Sequence, residues 1–145
     1  MSDSFSHTTR IDASPDEAWP RLQVADVWAG IAGIDRVYDA THDDAGQLTG
    51  FSFEVVAAGT RVSGKAVRTE YRENELLVLS ISSSELVGTI TTRLVANDAS
   101  GTKLRMVLEM RARGLLAGMF YPLIAQTVGK NLPEQVEKIG RRLEA

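Results

Sequence analysis

The sequence predicts an α+β domain in which a curved, antiparallel, seven-stranded sheet wraps on a long, bent C-terminal helix. Three observations carry the prediction. Ser4–Asp12 alternates with the period of a half-buried strand and runs into a helix start at Ser14-Pro15-Asp16-Glu17. From Asp35 to Ala112 the chain reads as strands divided by turns. Gly114–Glu144 is then the only stretch long enough to cover the apolar face that such a sheet must bury. The order is strand, two short helices, six-strand meander, long helix, in one domain spanning residues 1–145. A chain of this size buries roughly 68–70% of the surface its unfolded state exposes, enough for a sizeable core.

In the first strand Phe5, His7, Thr9 and Ile11 share one side. Ser14 suits an N-cap, Pro15 suits the first helical position, and Glu17 completes a capping box. The helix so begun buries Ala18, Trp19 and Leu22. Asp26 is placed to cap a second short helix through Val27, Trp28 and Ile31, broken by Gly30 and Gly33. Strands are expected at Arg36–Thr41, Leu48–Ala57, Thr60–Tyr71, Leu76–Ser83, Leu86–Ala96 and Thr102–Ala112. Alternation sorts their faces. Phe51, Phe53 and Val55 oppose Ser52 and Glu54; Val62, Gly64 and Ala66 oppose Arg61, Ser63 and Lys65; Leu104, Met106, Leu108 and Met110 oppose Lys103, Arg105, Glu109 and Arg111.

The closing helix carries no charge between Gly114 and Gly129 and becomes charged from Lys130 onward. Pro122 and Pro133 lie inside it, each with a glycine four residues back (Gly118 and Gly129), where a proline ring meets least obstruction. They are eleven residues apart, and eleven residues make about three turns, so both kinks should tilt the axis to one side. Asn131 with Glu134 offers an alternative, a fresh cap and a true break at Leu132-Pro133. At ~100° per residue, Leu116, Phe120, Leu123, Ile124 and Thr127 cluster on one side, and Val128, Leu132, Val136, Ile139 and Leu143 cluster well over a quarter-turn away. Two jobs joined at a bend near Gly129–Pro133 are the expectation: Leu132–Leu143 clamps the sheet as core, and Met119–Thr127 meets a ligand.

Composition excludes several functions. The net charge is -3, with 16 basic residues scattered among 19 acidic ones, so no nucleic-acid groove is expected. Without cysteine there is no disulfide framework, thiolate metal site or iron–sulfur ligation. The two histidines, His7 and His42, have no ligand spacing, so no metal site is expected; the sequence places no acid to orient either as a base, and His42 belongs to a polar loop. The uncharged 114–129 stretch falls short of the ~20 apolar residues of a spanning helix, so no transmembrane segment is expected. Met1–Ser6 lacks the basic start and apolar run of a signal peptide, which makes the cytoplasm the expected location. No phosphate loop, nucleophile elbow or zincin motif occurs, and no cofactor is expected.

Ala13–Trp19, "ASPDEAW" after a first strand, together with Trp28-Ala29-Gly30-Ile31-Ala32-Gly33-Ile34, the meander and the closing helix, resembles the SRPBCC superfamily. This is the START-like, helix-grip group that includes the birch pollen allergen and the polyketide cyclases. The Trp28–Ile34 stretch is similar to the "W…PG" segment of its carbon monoxide dehydrogenase subunit-like and polyketide cyclase-like branches. The resemblance covers essentially the whole chain. It implies a helix-grip fold with a deep cavity between sheet and long helix. Since the group spans lipid carriers, hormone receptors, cyclases and hydroxylase domains, it leaves the activity open.

The resulting expectation is a cavity that binds a small hydrophobic or amphipathic molecule. Its candidate lining is Phe51, Phe53, Met106, Met110, Met119 and Phe120, an adaptable apolar set, with Leu123 and Thr127 from the long helix and Trp28 as anchor or stacker. Two polar groups are candidates for holding a ligand atom. Arg68 falls in phase with the inward Val62, Gly64 and Ala66, and Tyr121 lies in the uncharged half of the helix. A cyclase or dehydratase acting on polyketide-like substrates is one alternative. The other is an interaction protein of the carbon monoxide dehydrogenase subunit-like kind, serving enzyme assembly, with Leu115–Ala125 as the candidate surface for a protein partner or a homodimer.

Overall fold

Residues 2–57, 60–84, 86–97, 101–113 and 117–144 are described in a computed structural model. The strands are β1 (Ser2–Ile11), β2 (Ile34–His42), β3 (Leu48–Ala57), β4 (Thr60–Arg72), β5 (Leu76–Ser83), β6 (Leu86–Ala96) and β7 (Thr102–Ala112); the helices are α1 (Pro15–Leu22) and α2 (Ala117–Glu144). Each strand of the meander pairs with the next, and β1 adds beside β7, giving one antiparallel sheet in the order β1-β7-β6-β5-β4-β3-β2.

Period-two patterning places the faces as expected. In β7, Leu104, Met106, Leu108 and Met110 are buried while Lys103, Arg105, Glu109 and Arg111 are exposed. Helix α1 starts on the predicted capping box: the Ser14 side chain accepts from the Glu17 N–H, and the Glu17 carboxylate accepts from the Ser14 N–H. The predicted second helix is instead two 3-10 turns, Ala25–Trp28 and Ile31–Gly33. Asp26 lies inside the first turn and caps nothing there; Val24 holds the cap position without a side-chain bond. Three positive φ angles, at Gly30, Ala32 and Gly33, turn the chain tightly into β2.

Helix α2 runs alongside β1 in the same direction. Tyr121 meets Asp3, Gly129 meets Phe5, Glu137 meets His7 and Thr9, Gly140 meets Ile11, and Glu144 accepts from the Asp12 N–H. The lengths match, since Asp3–Asp12 spans about 30 Å at ~3.3 Å per residue and Tyr121–Glu144 about 34 Å at ~1.5 Å per residue. Gly129 and Gly140 let the helix approach, because a Cβ at either position would strike Phe5 or Ile11.

The expected division of α2 into two differently facing halves is not what forms. The helix is unbroken through Pro133, and Tyr121, Ala125, Val128, Leu132, Val136, Ile139 and Leu143 make one continuous buried stripe. Its steps of three and four residues average the 3.6-residue turn, so no change of face is needed. Both prolines lie off this stripe and are exposed.

Candidate functional site

On the inner face of the sheet two positions carry no side chain. Gly64 pairs across with Phe53 on one side and Ser83 on the other; Gly88 pairs with Ile81 and Met110. All four partners line a cavity of about 230 Å³ between the sheet and the first half of α2. β3 adds Val55 and Val56, β4 adds Val62, β6 adds Leu86 and β7 adds Leu108. Leu123, Ile124, Thr127 and Val128 of α2 form the opposite wall, and Ala32, Gly33 and Ile34 close one side. Val56 and Leu123, 51% and 56% exposed, mark the mouth.

The walls are held from behind. Trp28 is fully buried, donates its indole N–H to the Leu22 carbonyl at 3.1 Å and stacks on Phe51, which meets Phe53 edge-on. Phe53 in turn leans over Gly64, where a Cβ would come within 2.5 Å of its ring. The Ala32 turn is tied to α2 by its N–H, which donates to Gln135 Oε1 at 3.1 Å.

Among the described lining residues only Ser83 and Thr127 carry a polar side chain, and none is titratable. The Ser83 hydroxyl both donates to the Leu86 carbonyl and accepts from its N–H. Thr127, exposed on α2, keeps its hydroxyl turned to no hydrogen-bond partner among the described residues. The arrangement can enclose a small apolar body and offer it one hydroxyl; it brings no acid–base pair to bear on it.

Of the predicted site residues, Phe53, Met110, Leu123 and Thr127 are in the lining. The side chains of Met119 and Phe120 lie outside the described ones, as do residues 114–116. Trp28 and Phe51 stand behind the wall as its support, and Met106 is core, paired with His7 and Thr92.

Arg68 and Tyr121 are engaged elsewhere. Arg68 lies about 20 Å along β4 from Val62 at ~3.3 Å per residue. It donates to the Asp43 carboxylate at 3.2 Å and the Leu48 carbonyl at 3.3 Å, and its guanidinium lies over Tyr71, which stacks on Trp19. The inward phase holds as far as Arg68, and the ladder slips just beyond, between Arg68 and Glu70. An inward arginine at the far end of a sheet closes the core there. The Tyr121 hydroxyl is 2.8 Å from both the Asp3 carboxylate and the Met110 carbonyl, two acceptors that share its one proton. Burial, then the Asp3 bond and charge, push its ionisation far above the ordinary tyrosine range. Tyr121 is a lock between α2 and the sheet edge.

Sequence reasoning also missed an acid beside a histidine. His7 Nε2 donates to Glu137 at 2.8 Å, and the Thr9 hydroxyl donates to the other carboxylate oxygen at 2.8 Å. The residues are 130 positions apart, and only the docking of α2 along β1 joins them. This cluster sits on the outer seam, away from the cavity lining. His42 is bound to the Gln23 carbonyl at 2.9 Å.

No family model and no curated protein matches the sequence. Solved structures do match the architecture along its whole length. The ZhuI aromatase/cyclase from Streptomyces sp. R1128 superposes with a TM-score of 0.72 at 16% identity, over 100% of this chain and 98% of that one. The fold is the START-like helix-grip fold. A conserved protein from Geobacillus kaustophilus shares it (TM-score 0.73, 12% identity, 97% of this chain and 95% of that one), as does a START superfamily protein from Mycobacterium smegmatis (0.68, 14%, 97% and 94%). In this helix-grip fold the cavity lies between the gripping sheet and the gripped helix, the position implied by the resemblance in Ala13–Trp19 and Trp28–Ile34. No described helix is long and apolar enough to cross a membrane.

Proposed function

We propose that this protein binds a small hydrophobic or amphipathic molecule between its sheet and the first half of α2. The observation that carries the reading is the lining itself, whose described side chains are all apolar save two hydroxyls around about 230 Å³ of space. A void of that kind is costly to leave empty, because lining atoms lose dispersion contacts on one side. A ligand restores them. The likeness to an aromatase/cyclase and to a START superfamily protein supports a ligand-holding use of the same architecture. Cyclase or dehydratase chemistry by general acid–base transfer asks for a titratable group within hydrogen-bond reach of the substrate, and the described lining offers none. Carriage or sensing of the ligand is therefore the favoured role, without a cofactor.

Native mass spectrometry of the protein as purified, followed by denaturing extraction, tests this. A discrete apolar mass released on denaturation, or saturable uptake of an added apolar compound by the empty protein, is the expected result. A protein that carries nothing and takes up no apolar compound at millimolar concentration contradicts the reading.

A further inference from the structure

We infer that the cavity selects electrically neutral ligands and rejects carboxylates, sulfonates and ammonium ions of the same shape. The inference rests on reading the cavity as the ligand site and narrows the class of molecule that enters it.

The charge pattern around the cavity carries the argument. Among the described residues, charged neighbours of the lining are turned away from it: Glu109 and Arg111 are exposed on the other face of β7, and Asp35, Arg36, Glu54 and Arg61 pair with one another. Arg61, next to the lining residue Val62 on β4, lies 3.2 Å from Glu54 and 3.4 Å from Asp35, and Arg36 lies 3.8 Å from Glu54. Arg68, in phase with the inward row, is held by Asp43 and Tyr71 at the far end of β4. An anion in the cavity thus finds no guanidinium or ammonium among the described side chains, and a cation finds no carboxylate. Nor does the backbone compensate. The wall offered by α2 is a mid-helix surface, Leu123–Val128, whose N–H groups are bonded within the helix, not a helix N-terminus. The only polar side chains of the described lining are hydroxyls, and that of Ser83 is already bonded to Leu86.

Size strengthens the point. At about 230 Å³ the space lies below the ~300–1,000 Å³ of pockets for drug-sized molecules. A ligand charge that lies below the mouth marked by Val56 and Leu123 is desolvated among apolar side chains without a partner, which is strongly unfavourable. A neutral hydroxyl, carbonyl or amide loses far less and can meet the Thr127 hydroxyl.

The test uses three isosteric probes at pH 7: naphthalene-2-carboxamide, naphthalene-2-carboxylate and 2-(aminomethyl)naphthalene. Binding is measured by titration calorimetry to the full-length protein, stripped of anything bound. The carboxamide is expected to bind at least 100-fold more tightly than either ion. The preference should vanish with binding itself in Val62→Phe, which fills the mouth side of the cavity from a partly exposed position. Carboxylate or amine binding within threefold of the carboxamide, lost in Val62→Phe, overturns the selectivity while leaving the binding site intact. Binding that survives Val62→Phe overturns the assignment to this cavity. Failure of all three probes, together with naphthalene itself, overturns the ligand reading and this inference with it.

Discussion

Gly64 lacks a side chain, and the ring of Phe53 occupies the space one would take. Phe53 lines the cavity, so this contact bears on its wall. An alanine Cβ at 64 would meet the ring within 2.5 Å and the Ser82 carbonyl at 2.6 Å. Overpacking of this kind costs about 1–3 kcal/mol, and Phe53, which lines the cavity, can relieve it by turning into the open space. Gly64→Ala is therefore expected to lower the melting temperature and to weaken ligand binding tenfold or more; unchanged affinity would separate Phe53 from the site. Tyr121 gives the converse case. Removing its hydroxyl leaves the buried Met110 carbonyl and the Asp3 carboxylate without their donor. Tyr121→Phe should lose about 1–3 kcal/mol of stability and keep ligand affinity within threefold. A tenfold loss of affinity at unchanged stability would return the tyrosine to the ligand site.

Among the secondary-structure elements, α2 is one amphipathic helix with the cavity on its flank. Its continuous stripe from Tyr121 to Leu143 is core throughout, and Leu123, Ile124 and Thr127 reach the cavity from the side of that stripe. The helix is pinned to β1 by Glu137, to which the His7 ring and the Thr9 hydroxyl both donate. Those two bonds, with the His7 charge, hold its carboxyl below the ordinary value of 4.5 against partial desolvation. The depressed folded value means that the folded protein binds fewer protons than the unfolded one as pH drops. Stability from the clamp is complete above the unfolded pKa and is lost as pH falls through the folded one. Glu137→Gln should flatten the fall in melting temperature between about pH 5 and pH 3. The clamp is partly exposed, so the loss at pH 7 should stay under about 1 kcal/mol. Equal acid sensitivity of the two proteins would show that other carboxylates dominate.

Across the complete fold, the architecture was legible because alternation, the capping box at Ser14–Glu17 and the length of the last helix all pointed one way. The site was legible only in part. Of the cavity's lining, Phe53 and Met110 were singled out because aromatic and thioether side chains attract notice, whereas Val55, Val62, Ile81 and Leu108 look like any core residue. The better signal was Gly64 and Gly88, inward-phased positions whose cross-strand partners all line the cavity. Their meaning appears only once the strands are in register. Arg68 and Tyr121 misled for a related reason: periodicity reports which way a side chain points, not where along the element its partners stand. His7 and Glu137 meet through the docking of the first element on the last, which no local pattern encodes.

Everything proposed for this protein depends on a ligand lying between the sheet and the first half of α2. Methyl-labelled protein titrated with naphthalene-2-carboxamide and followed by NMR locates that ligand residue by residue. Saturable shifts are predicted at Ile81, Leu108, Ile124 and Val128, with Ile11, Ile139 and Leu143 unmoved. Shifts confined to the second group, or scattered over the outer face of the sheet, would contradict it.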